Sequence, residues 1–189
     1  MYKIAVVGPE STGKSELSEE LAAHYGSPWV KEYARSYVEQ LTRGYTYDDI
    51  CVIAHRQIEE ELYYENNHAS SFVFFDTELI ITKVWFDYCF QQVPDFVNER
   101  LKTGFFDLYL LCQPDLPWEA DPVREHGDNR DYFYDLYKSE IKQLGKPYVS
   151  IHGSGGERLT NAIQLINNFI TQQYPEKDIV TSTLLSNEG

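Results

Sequence analysis

Apolar and polar positions fall into alternating blocks along the chain. Short apolar runs stop at a glycine or an acid. The stretches between them repeat apolar residues every three or four positions. "YKIAVV", from Tyr2, halts at Gly8 and reads as a buried strand. Leu17, Leu21 and Tyr25 then follow at helical spacing, and Gly26 ends that helix. "PWVKEY" is a second strand. Thr46 caps a helix that carries Ile50, Ala54, Ile58 and Leu62 on one face. "SSFVFFDTE" is an apolar run that breaks off at Asp76, and "LIITKVWFDYCF" after it is a helix packed on the sheet. "DLYLLCQP" and "KPYVSIHG" are two further strands. Leu159, Ile163, Ile166 and Ile170 mark the last helix. Five strands separated by helices predict an α/β fold, with a parallel sheet covered on both faces. Right-handed crossovers make it a doubly wound three-layer sandwich. No internal repeat and no linker interrupts this order, so residues 1–174 form a single domain. Residues 175–189, "PEKDIVTSTLLSNEG", are polar at both ends and form a loosely docked tail.

Composition narrows the setting. The 189 residues suffice for one core, and 42% apolar with 24% charged is ordinary for a soluble globular chain. No run approaches the roughly 20 apolar residues of a membrane helix. "MYKIAVVG" enters a strand directly, without a signal peptide. Against 16 basic residues stand 30 acidic ones, a net charge of −14 with no basic stripe. That argues against a nucleic-acid backbone as partner and leaves a small phosphorylated ligand open. Cys51, Cys89 and Cys112 match no CxxC or zinc spacing and are odd in number. They read as small buried hydrophobes in a reducing compartment, which places the protein in the cytoplasm.

The stretch between the first strand and first helix carries the chemistry. "GPESTGKS" fits GxxxxGK[ST] in the strand–loop–helix setting that a phosphate-binding loop requires. Gly8 and Gly13 let the backbone curl, so that the N–H groups of the intervening Glu10, Ser11 and Thr12 point into one concavity. The helix opening near Lys14 adds its positive end. Lys14 reaches β- and γ-phosphates, and the Ser15 hydroxyl is a ligand for Mg²⁺.

Further candidates lie where strands end. Asp76 either holds Mg²⁺ or caps the helix that follows it. Glu32, in "VKEYARSY", either accepts a proton from a hydroxyl attacking the γ-phosphate or pairs with Lys31 or Arg35. "QPDLPWEADPVREHGDNRDYF" is long for a connection and reads as a lid. Its cations, Arg124 and Arg130, either neutralise a transferring phosphoryl group or form surface salt bridges. In "HGSGGERLTNA", Arg158 either stacks on a nucleotide base or is a solvated arginine in a turn. His55 and Gln57 on the long helix, with Trp85 and Asp87 on the helix after Asp76, either line a nucleoside pocket or pack as structure.

Together, "GPESTGKS", "KEYARSYVE", "FFDTELIITKVWF" and "PWEADPVREHGDNRDYF" resemble the ribosylnicotinamide kinase domain of NadR-type proteins. The likeness runs from Lys3 to about Asn168. It implies a P-loop kinase sandwich with a lid segment, using ATP and Mg²⁺ to phosphorylate the 5′-hydroxyl of nicotinamide riboside. By position, Gly8 to Ser15 and Arg158 would bind ATP, and Ser15 and Asp76 would serve the metal. Glu32, Tyr33 and Arg35, with His55, Trp85 and Asp87, would lie on the substrate side. Lys14, Glu32, Asp76, Arg124 and Arg130 would carry catalysis. Glu78 departs from the aspartate often found at its position in that family. With the loop glycine already at position 8, no adenylyltransferase or DNA-binding region precedes the kinase. Two other readings stay open: a kinase for a different nucleoside or small alcohol, and a nucleotide-binding regulatory ATPase module.

Overall fold

A parallel five-stranded sheet in the order β2-β3-β1-β4-β5 is the middle layer of the computed structural model, which describes residues 1–67, 70–121 and 127–173. The strands are β1 (Tyr2–Val7), β2 (Trp29–Val30), β3 (Phe72–Asp76), β4 (Leu108–Cys112) and β5 (Tyr148–Ile151). Side chains alternate across it, as the pleat requires. Ile4, Val6, Phe72, Phe74, Leu108 and Leu110 belong to one core. Ala5, Val7, Val73, Phe75, Tyr109 and Leu111 belong to the other. Both faces are apolar because both are covered. Helices α1 (Lys14–Tyr25) and α7 (Gly155–Gln173) close the first through Leu17, Leu21, Ala162 and Ile166. The second is closed by α3 (Tyr47–Asn66), α4 (Leu79–Phe90), α5 (Asp95–Thr103) and α6 (Arg130–Gln143). The expected α/β three-layer sandwich is therefore present. Among the described residues no helix is long and apolar enough to cross a membrane.

The Thr46 cap is also found, and it is a full capping box. The Thr46 hydroxyl accepts from Asp49 N, while Asp49 Oδ2 accepts from Thr46 N at 2.7 Å. Arg43 and Tyr37 add hydrogen bonds to the same carboxylate. The Arg43 guanidinium, with Thr46 after it, holds Asp49 far below the usual carboxylate range.

Other elements differ from the expectation. β2 is two residues long, and the chain turns at Glu32 into α2 (Tyr33–Val38). No α2 residue is fully buried, so no apolar stripe announces it. The long loop expected up to Phe133 ends sooner, because a 3₁₀ turn occupies Gly127–Asn129 and α6 starts at Arg130. Phe133, Tyr137 and Ile141, four residues apart, are the buried face of α6. The expected tail, residues 175–189, lies outside the described residues.

With every strand parallel, the ends at Val7, Val30, Asp76, Cys112 and Ile151 share one sheet edge. The strand order reverses around β1, which opens the crevice where ligands sit in such sheets.

Candidate active site

The phosphate loop leaves β1 at Gly8. That residue has φ 152, and a Cβ there would lie 2.7 Å from the Cys112 carbonyl oxygen. Only glycine lets the loop pass so close to β4. Ser11 and Gly13 also take positive φ, at 57 and 69. Inside the loop the Thr12 hydroxyl and Lys14 Nζ both donate to the Pro9 carbonyl at 2.8 Å, so Lys14 arches back across the concavity. Gly13 is the N-cap of α1 and offers no side chain to its first N–H groups. Those unpaired donors, with the helix dipole behind them, suit a phosphate.

The structure removes the capping reading of Asp76. Glu78, not Asp76, is the N-cap of α4, accepting from Ile80 N at 2.8 Å. Asp76 is 3% exposed, lies within reach of the Ser15 hydroxyl, and keeps buried Oδ1 without a partner. Burial pushes its carboxyl up, against the Ser15 hydroxyl and the charge of Lys14. Thr77, next in the chain, has φ 76, a costly conformation for a β-branched residue. Its N–H donates to the Val6 carbonyl at 3.0 Å, which locks the end of β3 to the end of β1. Asp76 is thereby held against the base of the phosphate loop.

Glu32 arrives at the same place from β2. It is half-buried at the N-cap of α2, and its side chain caps nothing. Burial pushes it up. Lys14 and Arg35 oppose that shift, while Asp76 and Glu10 reinforce it. Lys14, Glu32, Arg35 and Asp76 therefore share one electrostatic site. Neither expected partner claims Glu32 among the described residues. Lys31 Nζ sits 4.7 Å over the Trp29 ring, and Arg35 bonds Asp121 at 2.9 Å and Glu39 at 3.4 Å.

Arg130 opens α6 against the outer side of the loop. Its Nη1 donates to the Leu116 carbonyl at 2.8 Å and to the Ser11 carbonyl at 3.4 Å, and buried Nε has no partner. Arg124 lies outside the described residues. Arg158 matches neither of its two readings. It is 4% exposed, so it is neither solvated nor an open stacking face. Its Nη2 donates to the Thr12 and Gln113 carbonyls, and its Nη1 to the Gly153 carbonyl and Asp115. It is a buried clamp under the phosphate loop.

Beside Glu32 runs a groove of about 610 Å³, lined by Trp29, Glu32, Tyr33, Glu59, Tyr63 and Tyr64 among others. A smaller cavity shares Tyr33 and Glu60 with it and reaches Gln57, Glu61, Thr77 and Glu78. Glu60, Tyr63 and Tyr64 were missed in the sequence. On α3, Glu60 and Tyr64 follow Gln57 by three and seven residues, beside the face that buries Ile50, Ala54 and Glu61, whereas Leu62 of the expected stripe is 44% exposed. His55 is on the opposite side of α3, stacked on Phe96 with centroids 4.2 Å apart. Trp85 packs edge-on against Tyr45 at 4.8 Å, and Asp87 is exposed. The expected placement of these three in the pocket is corrected: packing with α5 and with the start of α3 takes His55 and Trp85, and Asp87 faces water. Tyr33 and Gln57 do line the cavities.

A parallel sheet with this loop at its edge and an acid closing the adjacent strand defines a phosphate-loop α/β domain. The chain belongs to the family described as an AAA domain, whose model matches residues 3–158. It is similar to the trifunctional NAD biosynthesis/regulator protein NadR of Salmonella typhimurium, at 25% identity over 90% of this chain and 43% of that protein. The chain thus spans less than half the length of that relative. A NadR protein solved in complex with NR is 25% identical, with a TM-score of 0.71 over 89% of this chain and 51% of the other. A NadR protein solved with NAD and AMP-PNP is 26% identical, with a TM-score of 0.67 over 89% and 49%.

Proposed function

We propose that this chain is a kinase that transfers the γ-phosphoryl group of ATP to the 5′-hydroxyl of a nucleoside, nicotinamide riboside. The observation that carries the reading is the convergence of Lys14, Glu32 and Asp76 at one sheet edge, between a phosphate loop and a nucleoside-sized groove. A module that only bound nucleotide would use Asp76 for its metal but would need no second carboxylate such as Glu32 beside the phosphate site. The similarity to NadR proteins, one of them solved with NR and one with AMP-PNP, supports this acceptor and this donor.

In this reading the loop N–H groups and Lys14 bind the β- and γ-phosphates, and Arg130 adds charge from the outside of the loop. Glu32 takes the proton from the attacking hydroxyl, and Lys14 and Arg35 stabilise its carboxylate form. The Ser15 hydroxyl and the unpartnered Asp76 Oδ1 fit Mg²⁺, with the remaining positions left to water and phosphate oxygens. When bound, the ion would neutralise developing charge on the phosphates. Tyr33 and the groove beyond Glu32 take the nucleoside. Residues 1–174 act as one kinase domain with residues 175–189 as a tail, and the free thiols of Cys51, Cys89 and Cys112 suit a cytoplasmic protein.

The test is mass spectrometry of the products formed with ATP, Mg²⁺ and a nucleoside panel, beside a Lys14→Ala control. Nicotinamide mononucleotide formed by the wild type and absent from the control is the expected result. A different monophosphate would retain the kinase and discard the acceptor. No phosphorylated product from any acceptor would overturn the reading.

A further inference from the structure

The segment 113–121, after β4, crosses the whole site. Its start is fixed to the sheet, where Gln113 N donates to the Ile151 carbonyl at 2.9 Å. Asp115 then accepts from Arg158 at 2.9 Å and from Gly153 N at 2.7 Å. The Leu116 carbonyl accepts from Arg130, and the Leu116 side chain sits so close to the loop that a Cβ on Gly13 would approach it to 3.1 Å. Glu119 N donates to the Ser11 hydroxyl at 3.0 Å. These ties hold the segment to the phosphate loop, to the β5 end and, through Arg130 and Arg158, to the first turns of α6 and α7. At Asp121 the segment changes sides. Its Oδ2 accepts from Arg35 Nη1 at 2.9 Å, and Arg35 lies one turn into α2, the helix that begins at Glu32.

We propose that Asp121 is a positioning residue that couples occupancy of the phosphate loop to the setting of α2, and through α2 to Glu32. The coupling rests on the reading above only in taking Glu32 as the group that meets the acceptor. The coupling works by constraint. α2 has six residues, none fully buried, and β2 before it has two, so burial alone fixes this region weakly. A ligand that orders Ser11 and Gly13 also orders Leu116 and Glu119. The Asp121–Arg35 pair passes that order to α2. The two side chains are 35% and 21% exposed, so the pair transmits a modest effect rather than a rigid one.

Hydrogen–deuterium exchange tests this without needing the acceptor. AMP-PNP with Mg²⁺ is added to the full chain, and exchange is followed in residues 8–15 and 33–38. The wild type should slow in both segments. In D121N, residues 8–15 should remain protected, while the protection of 33–38 falls about three- to fivefold, the range of a half-exposed ion pair. D121E should retain it. The charge-swapped double variant R35D/D121R should restore it, which loss of fold would not do. E39Q, which removes the other carboxylate bonded to Arg35, should leave it unchanged. Equal protection of 33–38 in wild type and D121N would overturn the proposal, as would a wild-type α2 indifferent to AMP-PNP. A failure to form nicotinamide mononucleotide would sink the acceptor assignment and leave this coupling standing or falling on its own data.

Discussion

Around β1, β4 and β5 the chain is pinned at nearly every step: Gly8 presses on Cys112, Arg158 ties Thr12 to Asp115, and Arg130 ties Leu116 to Ser11. Around β2 and α2 the same sheet edge has a two-residue strand, a one-and-a-half-turn helix without a buried residue, and an open groove of about 610 Å³. The difference follows from what each side must hold. A polyphosphate presents the same oxygens in every reaction, so backbone donors fixed in advance serve it best. An acceptor differs from one enzyme to the next. Its site is built from side chains on a short helix and on one face of α3, which substitution remodels without disturbing the core.

The pinned side should break most completely. Lys14→Ala should lower kcat/KM by about 10³-fold, the scale of removing a charged donor to a transferring phosphoryl group. Steady-state kinetics would show it, and turnover within tenfold of wild type would remove the phosphate loop from the reaction. On the open side, Glu32→Gln should lower kcat by about 10²-fold while leaving the ATP KM nearly unchanged. Burial pushes the Glu32 carboxyl above its ordinary value of 4.5, so the acid limb of the wild-type kcat/KM profile should lie above pH 4.5, with activity lost as pH falls. That limb should vanish in Glu32→Gln. Its persistence would assign the titration to another group, Asp76 being the first candidate.

Arg158, on the pinned side, is a charge given over to architecture. Arg158→Ala leaves the carbonyls of Thr12, Gln113 and Gly153 without their shared donor, and should cost about 2–4 kcal/mol of stability. Arg158→Lys should recover little, since one ammonium cannot span what a guanidinium fork reaches. Urea denaturation and AMP-PNP titration would measure both. Wild-type stability in Arg158→Ala would show that the loop supports itself.

This residue also marks where the sequence stops being readable. The strands were legible because each is an apolar run closed by a turn residue, and the phosphate loop because its spacing is fixed by the ligand it serves. Glu32 and Asp76 were legible because they end such runs. Arg158 was visible as an arginine near the loop, but its burial depends on carbonyls more than forty residues away, at Thr12 and Gln113. α2 was hidden because it buries no stripe, and α6 because its three buried residues begin inside a segment rich in Pro, Asp and Arg. His55 and Trp85 were misplaced for the converse reason. Sequence shows that a helix carries aromatic residues, but not which neighbouring element they face.

The smallest expected effect lies behind the open side. Glu61 is 3% exposed and bonded to Arg100 at 2.6 Å. Burial nevertheless outweighs Arg100 and pushes its carboxyl from 4.5 up to about 7. A raised folded value means that the native state holds this proton more tightly than the unfolded chain does. Its contribution to stability is therefore fully present below pH 4.5 and is lost as pH rises to about 7, after which the curve is level. Burial shifts Glu32, Asp76 and Glu78 in the same direction, so the wild-type Tm should fall between pH 5 and 7 by more than Glu61 alone explains. Glu61→Gln should remove Glu61's share, flattening the decline by a few degrees, on the scale of about 2 kcal/mol. Thermal melts of both proteins across that range decide it. Parallel curves would mean that Arg100 keeps Glu61 ionised throughout, and that the β2 side carries a fixed charge pair where this account places a proton.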